Sequence, residues 1–292
     1  MSDATAARTV ATAPGAASAE TRTAEPGRLR ATADAIGGLM LRDLRVLRRE
    51  AGPFVIRTVA QPFMFVFVFA YIFPRIGQGI GGAGGADDFA TILVPGLIAV
   101  AIIFQGIIAV ALPLSTEFGG TKEIEDRIMA PARVEAVGVE KILFGAAQSV
   151  LAGVVVFPMV VVIPATPAAL EVTSWTLLVV VGVLSALLSG ALGLALGTYV
   201  SPKQIGLMFS IVVLPLTFLG AVYYPWAALE SIPWLQIGVL INPLVYVSEG
   251  LRAALTPSIE TMPTVAYFGA LLVSVAVLTW IGLAGFVRRT VG

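Results

Sequence analysis

The chain has 292 residues, of which 58% are hydrophobic and only 12% charged, and its mean hydropathy is +0.93. A soluble domain is about one quarter charged, so water is not the main solvent for this sequence. Lys+Arg and Asp+Glu number 18 each, leaving no net charge to attract nucleic acid, and the absence of Cys and His excludes disulfides, thiol catalysis, thiolate metal sites and imidazole acid–base chemistry.

Residues 1–33 are rich in Ala, Thr, Ser, Gly and Pro and lack the continuous apolar run of a signal peptide, which predicts a disordered cytoplasmic tail. From Asp34 the pattern changes. Ile36, Leu39, Met40, Leu44 and Leu47 recur at helical spacing, and Arg42, Arg45, Arg48 and Arg49 fall mainly on the other side. This predicts a basic amphipathic helix lying in a membrane interface, the plainer alternative being a cytosolic or partner-binding helix.

Six apolar stretches follow, at about 54–73, 89–115, 142–163, 175–200, 205–222 and 264–287. Pro62 should kink the first, which Pro74 closes, and the Gly-rich run GQGIGGAGG then reads as an exposed loop. Residues 116–141 carry the densest charge after the N-terminal region and must lie outside the hydrocarbon. Residues 223–255 are apolar but broken by Pro225, Pro233, Asn242, Pro243, Glu249 and Arg252, so they do not read as a clean crossing. With six crossings and a cytoplasmic N-terminus, 16 of the 18 basic residues fall inside and only Arg75 and Arg252 outside. A seventh crossing would put Arg288 and Arg289 on the wrong side. The expected architecture is therefore an all-α membrane protein of six transmembrane helices, with an N-terminal interfacial helix and a re-entrant outer helical hairpin before the last span. Both termini are then cytoplasmic. Irregular backbone at membrane depth is tolerated where protein buries it or a cavity runs beside it.

Glu249 and Arg252 lie three apart, so on a helix their side chains can pair. The pair fits either a gate touching substrate head groups or a structural bridge fixing the hairpin, structural bridges being the commoner case. Tyr223, Tyr224, Trp226 and Trp234 cluster where an aromatic belt would anchor the outer interface. In the fourth span, Gly182, Ser185, Ser189, Gly190, Gly193 and Gly197 give spacings that allow close helix approach. No GxxxxGK[ST] phosphate loop occurs, and GGTK at 119–122 lacks its spacing. The charged loop itself could be solvated surface or a docking element.

The interfacial basic helix, the six spans, the charged first inner loop and the broken segment ending NPLVYVSEGLRA resemble the ABC type-2 transporter permeases, closest to the daunorubicin-resistance-type drug and lipid exporters. The likeness covers about 34–290. Glu117, Gly120, Glu123, Ile124, Met129, Pro131 and Lys141 match that family's coupling loop, and Asn242, Pro243, Tyr246 and Arg252 its NP…Y…R stretch; Ile124 and Ala130 stand where the family often has Leu and Thr. The resemblance implies a permease subunit without its own ATPase site, in a bacterial cytoplasmic membrane. It would work with two copies of a separate ATP-binding subunit that carry ATP and Mg, and with a second permease, identical or paralogous. It would export a hydrophobic or amphipathic drug, antibiotic or lipid-like molecule. Phe104, Gln105, Phe209 and Phe218 are the candidate pathway residues on the second and fifth spans, each also readable as ordinary packing. An ion-coupled transporter would need more ionisable groups at mid-membrane depth and an inverted repeat. An intramembrane enzyme would need catalytic or metal-binding clusters that this sequence lacks. A membrane anchor for an ATPase that transports nothing is the remaining alternative.

Overall fold

The computed structural model describes residues 28–49, 51–76, 86–118, 134–163, 168–201 and 203–291. Most of the expected tail, the Gly-rich run from Gly77, and Gly120, Glu123, Ile124, Met129 and Pro131 lie outside the described residues. Among the described residues every regular element is helical. In chain order they are α1 (Arg28–Arg49), α2 (Ala51–Phe65) continued by a π-helical stretch (Val66–Ile72) and a last turn (Phe73–Arg75), α3 (Ala86–Thr116), α4 (Val134–Val162), α5 (Trp175–Tyr199) and α6 (Ile205–Phe218). Two short 3-10 turns (Trp226–Ser231 and Val239–Ile241) flank α7 (Pro233–Gly238), and α8 (Pro243–Leu255) and α9 (Thr264–Val291) complete the fold.

Among the described residues, five segments are long and apolar enough to cross a bilayer: Phe54–Ile72, Phe89–Thr116, Val134–Met159, Trp175–Tyr199 and Thr264–Thr290. The chain is an all-α, multi-pass membrane protein. The fifth expected span behaves differently: α6 has 14 residues, about 21 Å at 1.5 Å per residue against a hydrocarbon core of about 30 Å. Its last turn ends at a bend where Ala221 takes φ 53°, a left-handed backbone that non-glycine residues rarely adopt. A crossing by α6 would have to be completed by the residues on either side of it.

The third span also begins earlier than its apolar run. Helix α4 starts at Val134, so the last eight residues of the expected 116–141 loop form its first two turns. Charge density signals a loop only where the charges are solvated, and here Glu140 and Lys141 are buried against neighbouring helices.

Helices α3, α4, α5 and α9 make the central body, with α8 inserted against α3, α5 and α9. Small residues on α5 set the spacing. A Cβ at Gly190 would run into the Ile142 carbonyl, one at Gly193 would lie 2.8 Å from the Gly106 oxygen, and one at Gly197 would lie 2.9 Å from the Ala111 Cα. Ser149 and Ser189 meet across the same seam at 2.7 Å, each also donating or sharing its hydroxyl within its own helix turn. Close backbone approach of this kind lets apolar helices associate in lipid, where no hydrophobic force distinguishes a neighbouring helix from an acyl chain. Gly182 is not part of the seam, since a Cβ there meets nothing within 4 Å.

Helix α2 shows how an irregular helix serves packing. Phe54, Thr58, Pro62, Val66 and Ala70, each four residues from the last, are its buried positions. A stripe of period four drifts around an α-helix of 3.6 residues per turn. The π-helical stretch, with its wider turn, rotates the stripe back onto one face. Helix α1 has three faces. Ile36, Leu39, Met40, Asp43 and Leu47 are half-buried; Leu41 and Leu44 are exposed to one side, and Arg42, Arg45 and Arg49 are exposed opposite the packed face. Leu44 therefore leaves the packed stripe to which its spacing assigned it. An exposed apolar flank beside an exposed basic one suits a helix lying in a membrane interface.

Replacing Gly193 by Leu should destabilise the protein by about 1–3 kcal/mol through overpacking, whereas Gly182→Ala should be neutral or gain up to about 1 kcal/mol of helix propensity. Thermal unfolding of the two detergent-solubilised variants checks both.

Candidate functional site

Among the described residues, charged side chains gather in two nodes at opposite ends of the bundle. At the end that carries α1, Lys141 near the start of α4 reaches two carboxylates: its Nζ lies 3.4 Å from Asp43 Oδ2 on α1 and 3.4 Å from Glu117 Oε1 just past α3. All three side chains are at most 13% exposed. One ammonium thus joins α1 to both flanks of the charged loop. Nearby, the Arg289 guanidinium of α9 donates to the Thr198 carbonyl at the end of α5 and sits 4.4 Å over the Phe118 ring. Phe118 in turn packs edge-on against Phe286 at 5.9 Å. The ends of α1, α3, α4, α5 and α9 are therefore cross-linked by polar and aromatic contacts at one level.

Glu117 and Lys141, two of the loop residues expected to meet a partner, are turned into the protein and bonded to each other. Spacing alone does not single out Asp43. It is the one acidic residue in the basic run from Arg42 to Arg49. It also shares the half-buried stripe with Met40 and Leu47, a position where a charge needs a partner.

At the opposite end, Glu249 and Arg252 of α8 are both 0% exposed. The Arg252 Nη1 donates to Glu249 Oε1, and Nη2 donates to the carbonyls of Ala221 at 2.8 Å and Ile92 at 3.4 Å. Glu249 Oε1 also accepts the Trp226 backbone N–H at 3.0 Å, and Oε2 accepts that of Met262 at 2.9 Å. Two side chains of one short helix therefore hold the start of α3, the bend after α6, the hairpin and the segment leading into α9. Asn242 adds a further tie: its Oδ1 caps α8 by accepting from Leu244 N at 2.9 Å, and its Nδ2 donates to the Leu216 carbonyl of α6 at 2.8 Å. Pro243 follows as the first helical residue of α8, a position that needs no N–H donor. Tyr246 closes the hairpin by donating to the Leu240 carbonyl at 2.6 Å. Asn242, Pro243, Tyr246, Glu249 and Arg252 thus act as one unit.

The four pathway candidates separate. Phe104 is buried in the main core. Gln105 is buried as well: its Oε1 accepts from Thr58 Oγ1 of α2 and its Nε2 donates to Gln148 Oε1 of α4, both at 3.1 Å. Phe209 lies on α6 with its side chain outside the described residues. Phe218 is exposed at the end of α6, 5.8 Å from the Tyr223 ring. Of the expected aromatic belt, Trp226 donates from Nε1 to the Gln236 carbonyl at 3.1 Å, Tyr224 donates to the Phe218 carbonyl at 3.1 Å, and Trp234 is exposed.

The structure is thus a helical membrane body tied at both ends by charged side chains, with α1 bonded to both flanks of the charged loop. Residues 35–256 match the ABC-2 type transporter family, and the chain belongs to that family. The inner membrane transport permease YadH of Escherichia coli (strain K12) is 29% identical over 222 residues, covering 75% of this chain and 82% of that protein. A protein of the same name from Shigella flexneri matches over the same length at the same identity. The family works in general with an ATP-binding subunit.

Lys141→Met leaves Asp43 and Glu117 facing each other without their cation. The expected result is a loss of about 1–3 kcal/mol in unfolding stability and faster proteolysis within α1. An Asp43→Lys, Lys141→Asp exchange should recover part of both losses.

Proposed function

We propose that this chain is the permease subunit of an ATP-driven exporter, moving a hydrophobic or amphipathic molecule such as a drug, antibiotic or lipid out across the bacterial cytoplasmic membrane. Its N- and C-termini face the cytoplasm. A separate ATP-binding subunit binds ATP and Mg and docks on residues 116–141 and the exposed basic side of α1. Two such subunits serve two permeases, identical or paralogous. The names of the relatives support the membrane and the transport activity, and the skewed distribution of Arg and Lys supports the orientation.

The observation that carries this reading is the Asp43–Lys141–Glu117 bridge. A force on the charged loop has to reach the spans to do work. Glu117 ends the helix entering the loop and Lys141 lies two turns into the helix leaving it, so displacement of the loop is delivered to α3 and α4 together. Asp43 carries the same displacement to α1. Glu117 and Lys141 serve this transmission from inside the protein, and the partner meets the loop residues between them, Gly120, Glu123, Ile124, Met129 and Pro131 among them. Side chains holding one another at low exposure transmit a displacement better than solvated ones, because the low local dielectric strengthens their attraction.

The chain co-expressed with its partner ATPase in inverted vesicles should accumulate substrate on addition of ATP and not in response to a proton gradient alone. Movement driven by the gradient without ATP would overturn the assignment in favour of an ion-coupled transporter. Within the same complex, Glu123→Lys should lower co-purification of the ATP-binding subunit several-fold; an unchanged yield would remove that residue from the docking surface.

A further inference from the structure

Glu117 and Phe118 stand side by side where α3 runs into the charged loop, and they serve different neighbours. Consecutive residues of a helical turn point about 100° apart. The Glu117 carboxylate turns to Lys141 on α4, whereas the Phe118 ring turns to α9. It packs edge-on against Phe286 at 5.9 Å, and the Arg289 guanidinium lies over its face, 4.4 Å from the ring centre. Arg289 also donates to the Thr198 carbonyl. That oxygen is among the last four of α5, which have no helical N–H to accept from, and the dipole of α5 favours a cation at this end. A planar guanidinium can make both contacts at once, offering N–H to the carbonyl and its flat face to the ring. Helix α9 is closely fitted at the same level: a Cβ at Gly285 would lie 2.7 Å from the Tyr199 ring of α5, and one at Gly138 of α4 would lie 2.6 Å from Leu283. These contacts are separate from the Asp43–Lys141–Glu117 bridge, whose three residues belong to α1, to α4 and to the end of α3.

We propose that Phe118 and Arg289 are a second output of the charged loop, by which its displacement reaches α9 and α5 as well as α3 and α4. Both are positioning residues, acting through the helices they join. The inference rests on the reading that a separate ATP-binding subunit moves this loop. Filling space beside Phe286 does not require a ring at position 118, since an aliphatic side chain would also cover it. Only a ring face attracts the guanidinium above it, and that attraction ties the last turn of α9 to the entrance of the loop. Arg289 is exposed, so the pair is worth too little to decide whether the protein folds. Its loss should show in the response of α9 instead.

The test uses the full chain in lipid nanodiscs with a cysteine-free form of its ATP-binding subunit. The chain has no Cys, so one introduced thiol carries the only nitroxide spin label. Val273 of α9 and Val154 of α4 are exposed and are labelled one at a time, as Val273→Cys or Val154→Cys. Arresting the ATP-binding subunit with ATP and vanadate should change the label spectrum at both positions. Phe118→Leu and Arg289→Gln should each reduce the change at Val273 about two- to fivefold and leave that at Val154 in place. Arg289→Lys, which keeps the charge but not the planar fork, should give an intermediate response and decides the matter if Arg289→Gln does not fold. An undiminished response at Val273 in the folded variants would overturn the proposal, and so would a silent Val273 beside a responsive Val154 in the native protein. Equal losses at both positions would make the contact a structural brace and overturn it too. Silence at both positions in the native protein would instead count against the reading that the loop is moved by an ATP-binding subunit, and this inference would fall with it.

Discussion

An arginine and a glutamate with no solvent exposure, inside a body this apolar, are the constraint on which the rest of the structure depends. Desolvating two charges is expensive, and their mutual attraction offsets that only with good geometry and further hydrogen bonds. The protein supplies them from four places: the carbonyls of Ile92 and Ala221 and the amides of Trp226 and Met262. The requirement runs both ways. Irregular backbone at the bend after α6 and in the hairpin could not persist in an apolar environment without partners, and the pair provides them. Ala221 holds its left-handed conformation with its carbonyl fixed by Arg252, the kind of surrounding restraint that strained backbone requires.

The second node does different work. Lys141 with Asp43 and Glu117 joins α1, the helix entering the charged loop and the helix leaving it. Between the nodes, the glycine and serine seam of α5 against α3 and α4 is packed backbone to backbone. The central body is therefore closely packed along the seam and tied at each end. Helices α2 and α6 stand outside it. They are held by the Thr58–Gln105–Gln148 hydrogen bonds on one side and by the Asn242 and Arg252 contacts on the other.

Much of this architecture is legible in the sequence, for identifiable reasons. Apolar length reveals the spans because only helices and closed barrels satisfy backbone groups in lipid, and three-residue spacing brings Glu249 and Arg252 together. The small residues of α5 have the spacing of packing residues, and all but Gly182 pack accordingly. Three features are not legible. The start of α4 is hidden because charged residues that pair inside the protein look like loop residues in a composition window. The shortness of α6 is hidden because the apolar run continues past the bend, and hydropathy does not register a change of backbone direction. The burial of Gln105 is hidden because its partners, Thr58 and Gln148, are 47 and 43 residues away. Asp43 carries a faint signal, an acid on the packed stripe of a basic helix, which long-range pairing alone explains.

The central claim, that Glu249 and Arg252 anchor their end of the bundle rather than gate it, is tested most directly by a double-mutant cycle on folding. Glu249→Gln and Arg252→Gln should each strand a buried charge and lower stability by about 3–5 kcal/mol, enough to prevent recovery of monodisperse protein, while the double variant regains most of it. If both single variants assembled and unfolded like the native protein but failed to transport, the pair would be a gate and not an anchor.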